Sequence, residues 1–305
     1  MDSNAKPDLA RPNICDYEGS AYRTDFWTQE RSYEDAVERI ALGALLPPTG
    51  RRLVEIGAGF GRLVDLYAGY EHVILFDYSR SLLQEARARL GSVDPSGRPR
   101  YTYVLGDFYD LPFAVGVFDT VTMVRAIHHA QDVSRVMRGV NAILAPKGAF
   151  VLEFANKRNI KAIVRWLLRR QEWTPFCAEP YEFVDLNFDF HPTWMRARLQ
   201  EAGFTLKATR SVSHFRLNGL KKTIPHNVLV SLDKYAQLTG RWWQLSPSVF
   251  VQSQVAGQRA AAPADALFRC LKCCSADLIE TTTALICQRC QRRWSIYEGL
   301  YDFKS

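Results

Sequence analysis

The chain has 305 residues, of which 47% are hydrophobic, 23% charged and 12% aromatic, with a formal charge of +7. This is a globular composition, and it excludes a disordered, collagen-like or coiled-coil chain. No stretch approaches the ~20 apolar residues of a transmembrane segment, and the polar start Met1-Asp-Ser-Asn-Ala-Lys-Pro7 has no apolar run behind it, so a cytoplasmic protein without an export signal is expected.

Residues 1–50 read as an N-terminal arm and a first helix. Apolar residues at 36, 37, 40, 41, 44 and 45 place that helix over Glu34–Leu46, and Pro47-Pro48 stops it. Tyr22, Trp27, Arg31 and Tyr33 precede the core, either as a lid over a ligand or as a solvent-facing arm. Residues 51–155 then alternate. Strands are predicted at Arg52–Ile56, Val73–Asp77, Tyr101–Leu105, Phe118–Met123 and Ala149–Phe154. Helices are predicted after the glycine turn that follows Ile56, at Ser79–Leu90 with a serine cap, and at Asp132–Leu144. This rhythm is that of an α/β, doubly wound parallel sheet.

Residues 156–255 change character. A basic amphipathic segment, Ile160–Arg170, leads into an aromatic and acidic stretch to Phe190. A helix at Pro192–Ala202, a strand at Phe204–Val212, a helix at Asn227–Leu238 and a strand at Ser248–Val255 follow. Thirteen Lys and Arg against six acids between Lys157 and Lys222 account for the whole excess charge. Residues 256–266 form a small, Pro-containing linker, and 267–305 a cysteine module.

The sharpest local signal is Glu55-Ile-Gly57-Ala58-Gly59-Phe-Gly61, where a strand becomes a turn. Glycine there allows a sharp turn and a close approach to a ligand. Asp77 ends the next strand and suits the two hydroxyls of a ribose. Asp107 follows the third strand, with Phe108 beside it to stack on a base. Each acid alone also fits a turn or cap, but together they describe a nucleoside pocket. The Gly-x-Gly-x-Gly spacing after an acid resembles class I methyltransferases that bind S-adenosylmethionine (the methyltransferase type 11-like group), and the resemblance runs over residues 52–155.

That resemblance implies a Rossmann-like, mostly parallel seven-stranded sheet and S-adenosyl-L-methionine as cofactor. It places Glu55 near the methionine end and Gly57, Ala58, Gly59 and Gly61 in the cofactor loop. It also puts Asp77, Tyr78 and Ser79 at the ribose, Asp107 and Phe108 at the adenine, and Arg125 at the strand end beside them. His128 and His129 follow the fourth strand, where they are base candidates or pocket lining. Asn156 follows the fifth strand and not the fourth, so nothing points to amide or adenine nitrogen methylation.

Cys270-Leu-Lys-Cys273 and, thirteen residues on, Cys287-Gln-Arg-Cys290 supply four thiolates with the spacing of a structural Zn2+ site. The ending through Trp294-Ser-Ile-Tyr-Glu-Gly299-Leu-Tyr-Asp302 resembles the zinc-ribbon activators of tRNA, rRNA and release-factor methyltransferases, without that family's two prolines. The resemblance implies a small C-terminal zinc-ribbon domain that docks on its own methyltransferase domain; a nucleic-acid-reading ribbon is the alternative. Residues 156–255 are then the acceptor side. The acceptor is expected to be small or lipid-like, with RNA or a translation protein as the alternative and a cofactor-binding scaffold as a third reading. The basic stretch suits RNA, an anionic membrane or a solvated face.

Overall fold

The computed structural model describes residues 12–19, 31–93, 97–257 and 266–304. Tyr22 and Trp27 lie outside the described residues, as does most of the linker.

The central strands are β1 (Gly50–Ile56), β2 (Tyr70–Asp77), β3 (Tyr101–Leu105), β4 (Phe118–Met123) and β5 (Leu144–Ala155). They lie in the order β3-β2-β1-β4-β5, every neighbouring pair parallel. Later in the chain, β8 (Phe204–Val212) and β9 (Ser248–Val255) close the far edge, β9 running antiparallel to both β5 and β8. The strand order reverses at β1, which has β2 on one side and β4 on the other. This is where α/β sheets bind ligands, above the carboxyl ends of the strands.

Helices cover both faces because the parallel strands are apolar on both. On one side α3 (Val133–Ile143) and α5 (Pro192–Glu201) pack on Val54, Ile56, Val121 and Met123. On the other, α1 (Ser32–Leu45), α2 (Arg80–Leu90) and α7 (His226–Ala236) cover Leu53, Val73 and Leu75. Caps begin two helices as their residue types require: Ser79 Oγ accepts from Leu82 N–H, and Asp132 Oδ1 from Arg135 N–H at 2.9 Å.

Four features depart from the sequence reading. The helix expected after the glycine loop is only a 3-10 turn at Val64–Tyr67. Thirteen residues join β1 to β2, and Gly57, Gly59 and Gly61 all have positive φ, so too little chain remains for a regular helix. The basic segment is helical only at α4 (Ile160–Leu167), and the aromatic stretch folds into a hairpin, β6 (Tyr181–Val184) with β7 (Asn187–Asp189). Tyr33 is not a lid: it is 2% exposed and donates to Asp233 Oδ2 of α7 at 2.7 Å. The chain reaches its last strands through α6 (Asn218–Thr223) and α7.

The fourth correction is the sheet itself, which among the described residues has eleven strands and not seven. The cysteine module adds β10 (Leu278–Glu280), β11 (Ala284–Cys287), β12 (Arg293–Tyr297) and β13 (Leu300–Asp302). β13 pairs parallel with β3, Leu300 opposite Tyr103 and Asp302 opposite Leu105. Without this pairing β3 would be an edge strand with open backbone groups. Phe268, Trp294 and Phe303 of the module join the apolar cluster of the α3 face, and Phe268 stacks on Phe113 at 5.9 Å between centroids.

One buried carboxylate ties the layers together. Glu38 of α1 is fully buried and receives Arg62 at 2.9 Å and the Nε of Arg125 at 2.9 Å. Burial alone would raise its pKa, but Arg125 and Arg62 outweigh burial and hold the carboxyl below its usual range. Glu38→Gln keeps the shape but removes the charge that faces Arg125 and Arg62, the latter still paired with Asp35, so it is expected to cost about 3–5 kcal/mol, read from urea unfolding. Because the folded pKa is depressed, this contribution is present above the unfolded carboxylate value of about 4.3 and is lost as pH falls through the folded one. The gap between variant and parent should therefore narrow in acid.

Candidate active site

The site is assembled at the carboxyl ends of β1, β2, β3 and β4. Gly57 N–H and Ala58 N–H both donate to the Phe76 carbonyl, at 2.8 and 3.1 Å, which bends the glycine loop over the end of β2. Gly57 is needed twice over. Its φ is +76°, and a Cβ there would lie 2.5 Å from the Cβ of Ala126. At Gly59 a Cβ would meet only Leu82, at 3.8 Å, so the loop leaves room where a ligand would lie.

Asp77 is the organising acid. Its Oδ2 accepts from Gly59 N–H at 2.7 Å and its Oδ1 from Ser79 N–H at 2.8 Å. The Tyr78 backbone also bonds this carboxylate, and the acceptor capacity that remains suits a sugar hydroxyl. Burial raises its pKa, opposed by these backbone bonds. Glu55, one strand over, is buried, and its Oε2 has no hydrogen-bond partner among the described residues. Burial lifts its carboxyl to about 8 against the pull of Arg62. Its carboxyl is bonded to Tyr67, and the open oxygen beneath the loop fits a cationic ligand group, such as the ammonium end of S-adenosylmethionine. Asp107 is buried and accepts from Tyr109 N–H at 2.8 Å, and Phe108 meets Tyr109 edge-on, 4.7 Å between centroids.

The guanidinium of Arg125, expected beside the cofactor, is bonded to Glu38. Its backbone has φ +55°, unusual for a residue with a side chain, and its N–H donates to Glu153 Oε2 at 2.9 Å. Glu153 is itself buried and held by Ser248 Oγ at 2.6 Å. The loop that carries the two histidines is thus pinned from below.

The histidines have different surroundings. Nδ1 of His129 lies 2.8 Å from the Leu186 carbonyl, and a carbonyl only accepts, so Nδ1 carries the proton. Nε2 then accepts from the Tyr17 hydroxyl at 3.0 Å. Both nitrogens are engaged, and burial lowers the pKa, so His129 is a neutral tie between the arm and the β6–β7 turn. The His128 ring lies 4.0 Å from that of His129. Burial, then His129 and Arg125, hold it well below the ordinary imidazole value.

Several residues at this site escaped the sequence reading. Residues 12–19 strap the strand ends, from Asn13 N–H on Gln131 to Glu18 on the start of α2. Glu18 Oε2 accepts from Arg80 N–H at 2.7 Å and from Ser79 Oγ at 3.2 Å. From the other end of the chain, Lys304 Nζ donates to the Tyr78 carbonyl at 2.9 Å and lies 3.4 Å from the centroid of its ring. Asp302 pairs with Arg80. Nothing local in the sequence marks these contacts, which join segments far apart in the chain.

The β6–β7 hairpin, whose turn holds His129 through the Leu186 carbonyl, also borders a cavity of about 320 Å³ lined by Arg165, Arg170, Gln171, Trp173, Tyr181, Phe183 and Asp189. Trp173 and Tyr181 stack at 4.6 Å, making a flat wall. The hairpin that carries it is fixed to β5 by Phe190 N–H on the Ala155 carbonyl at 2.8 Å. Burial raises Asp189 to about 6, against Arg165, Arg216 and Lys157.

In the cysteine module, the Sγ atoms of Cys270, Cys273, Cys287 and Cys290 all lie within 4.8 Å of one another. Two of the pairs, Cys270 with Cys290 and Cys273 with Cys287, are 3.5 Å apart. Four thiolates around zinc at about 2.3 Å would sit about 3.8 Å apart, so the donor set fits that ion. Cys274 is exposed and stands outside the cluster. The two knuckles are built alike: Cys274 and Gln291 both have positive φ, and their N–H groups donate to the Cys270 and Cys287 carbonyls.

Residues 54–152 match the family described as a methyltransferase domain. A demethylmenaquinone methyltransferase of Clavibacter sepedonicus is 30% identical over 192 residues, covering 57% of this chain and 71% of the relative. The chain belongs to the S-adenosylmethionine-dependent methyltransferases. A ubiquinone/menaquinone biosynthesis C-methyltransferase of Vibrio vulnificus is 27% identical over 184 residues, covering 56% of this chain and 68% of its own. Among solved structures, a chain of the complex between the Haloferax volcanii Trm112 methyltransferase activator and a methyltransferase matches with a TM-score of 0.52. It is 17% identical and covers 78% of this chain and 97% of its own. A methyltransferase of Thermotoga maritima matches with a TM-score of 0.53 at 18% identity, with the same coverage. These last two likenesses establish the fold.

For the methyltransferase the weight rests on Asp77. Asp77→Asn replaces one acceptor by a donor, so either Gly59 or Ser79 loses its partner. S-adenosylhomocysteine binding measured by calorimetry should weaken about tenfold or more, the equivalent of ~1.5–3 kcal/mol for a bond to a charged group.

Proposed function

We propose that the methyltransferase moves the methyl group of S-adenosylmethionine onto a small aromatic or lipid-like acceptor held in the Trp173–Tyr181 cavity. The observation that carries this reading is the cavity itself, with a flat aromatic wall, two guanidiniums and one carboxyl, bordered by a hairpin that is tied to the end of β5. The Clavibacter and Vibrio relatives are named for quinone biosynthesis, whose acceptors are flat rings bearing oxygens.

Glu55, Gly57, Ala58, Gly59, Gly61, Asp77, Tyr78, Ser79, Asp107 and Phe108 would hold the cofactor. The cofactor supplies an already activated methyl group on a sulfonium, so the protein's task is alignment. Arg165 and Arg170 hold an acceptor oxygen as its negative charge grows. Asp189 would take the acceptor's hydroxyl proton as the methyl group that the cofactor supplies is transferred. His128 and His129, base candidates by position, act here as neutral lining and support. A base of pKa about 6 is ionised at neutral pH.

The four cysteines would hold one structural Zn2+, and the ribbon acts as a built-in activator of the cofactor site. This is supported by the β13–β3 pairing and by Lys304 on Tyr78.

Labelled methyl from S-adenosylmethionine, incubated with fractionated extract, should enter the organic-soluble fraction. Label in RNA that nuclease removes would overturn the acceptor reading. Asp189→Asn should lower kcat by about 10²-fold or more and abolish the acid limb of the rate profile, which in the parent falls below about pH 6. Zinc analysis should return one ion per chain, and Cys287→Ser should lower both Tm and cofactor affinity. An unchanged affinity at lowered Tm would make the ribbon a purely structural module.

A further inference from the structure

Helix α4 presents its apolar side outward. Ile160, Val164, Leu167 and Leu168 recur at the i, i+4, i+7, i+8 spacing that faces the core in a packed helix. Here all four are exposed, Ile160 at 59% and Leu167 at 65%, and the buried residue of the helix is Ala162. Lys161 and Arg165 run alongside the stripe, with Arg169 and Arg170 just past its end.

A second exposed group lies at the same end of the molecule. Ile160 N–H donates to the Leu245 carbonyl at 2.8 Å. Two and three residues before Leu245 stand Trp243 and Trp242, exposed at 69% and 68%. Helix α7 feeds into this loop and carries exposed Val228, Leu232 and Tyr235. Large apolar side chains exposed on neighbouring segments in this way mark an interaction surface.

The charge around it is mostly of one sign, the exposed Glu172 beside Leu167 and Arg170 being an exception. Across residues 157–170 and 214–243 there are eleven Lys and Arg and a single acid, Asp233. Asp233 is buried and bonded to Tyr33 and to the backbone of His214. Arg216 and Lys221 pair with Glu34. Lys161, Arg169, Arg170, Lys222, Lys234 and Arg241 are exposed around the apolar residues.

We propose that this face docks on an anionic lipid bilayer, with the α4 stripe and the Trp242–Trp243 loop seated at the headgroup–acyl boundary. Aliphatic residues and tryptophan with a rim of lysine and arginine are the chemistry of that boundary. A second copy of the chain would set cations against cations in a symmetric contact. RNA would meet the cations and tryptophans but leave the row of Ile, Val and Leu without a partner. Since no described helix is long and apolar enough to cross a membrane, the attachment is peripheral. Arg165 and Arg170 border the stripe and also line the acceptor cavity, so docking would bring a membrane-held acceptor to the site. That last step rests on the lipid-like acceptor proposed above; the docking does not.

The test is sedimentation of the full chain with vesicles. It should bind phosphatidylcholine vesicles containing phosphatidylglycerol, bind phosphatidylcholine alone more weakly, and lose affinity with added salt. Val164→Glu with Leu167→Glu changes two exposed residues, so Tm should hold while vesicle affinity falls about tenfold or more. Trp242→Ala with Trp243→Ala should lower it independently. Absence of binding by the parent, or unchanged binding in both double variants, overturns the proposal. So does a parent dimer, or retention on an RNA oligonucleotide, that Val164→Glu with Leu167→Glu abolishes in place of vesicle binding. Vesicle binding together with label in RNA would sink the acceptor reading and leave the docking face standing.

Discussion

Glu38 is the point on which the site depends. It stands on α1, outside the catalytic layer, yet it receives the guanidiniums of Arg62, just past the glycine loop, and Arg125, at the end of β4. Those two backbone segments flank the switch point where the sheet order reverses. In a regular class I arrangement a helix after the glycine loop would stiffen that segment. Here a 3-10 turn replaces it, and an ion pair taken out of water supplies the rigidity instead. Such a pair is a poor source of net stability but a strong constraint on geometry, because neither partner tolerates leaving the other alone.

The same logic of pinning from outside the pocket recurs. Glu153 and Ser248 hold Arg125 in its left-handed conformation. His129 joins the arm to the hairpin through its two ring nitrogens. Glu18 caps the start of α2 beside Asp77. None of these groups need touch a reacting atom, and each fixes one that lines the pocket.

What was legible in the sequence follows from how local each signal is. Strands β3, β4, β8 and β9 were readable to the residue because apolar and β-branched runs announce themselves within a few positions. The glycine loop and Asp77 were readable because their spacing is set by one strand–turn–strand unit. The cysteine pairs were readable because a knuckle is four residues long. Tyr33 was misread because a tyrosine before a core looks the same whether it faces a ligand or, as here, Asp233 from a helix two hundred positions away. The sheet was counted as seven strands because nothing within residues 267–305 says that β13 continues the sheet beyond β3. Asp189 was read only as part of the aromatic and acidic stretch on the acceptor side, because its charged surroundings are built by Arg165, Arg216 and Lys157, which only the hairpin and α4 bring near it.

The junction at Tyr78 has a consequence for how the protein is made. Lys304, which donates to the Tyr78 carbonyl, follows it by 226 residues and also lies 3.7 Å from Asp16 of the arm. A chain emerging from the ribosome can pair β1, β2, β3 and β4 early, since their contacts are close in sequence. The contacts of Lys304 at Tyr78 and the pairing of the β3 edge stay unmade until the cysteine module has been synthesised and folded. During that interval β3 is an unpaired edge, and the nascent chain is most exposed to wrong pairing. The β13–β3 pairing and the Lys304–Tyr78 contact are therefore late products of synthesis, made only after the central strands have met.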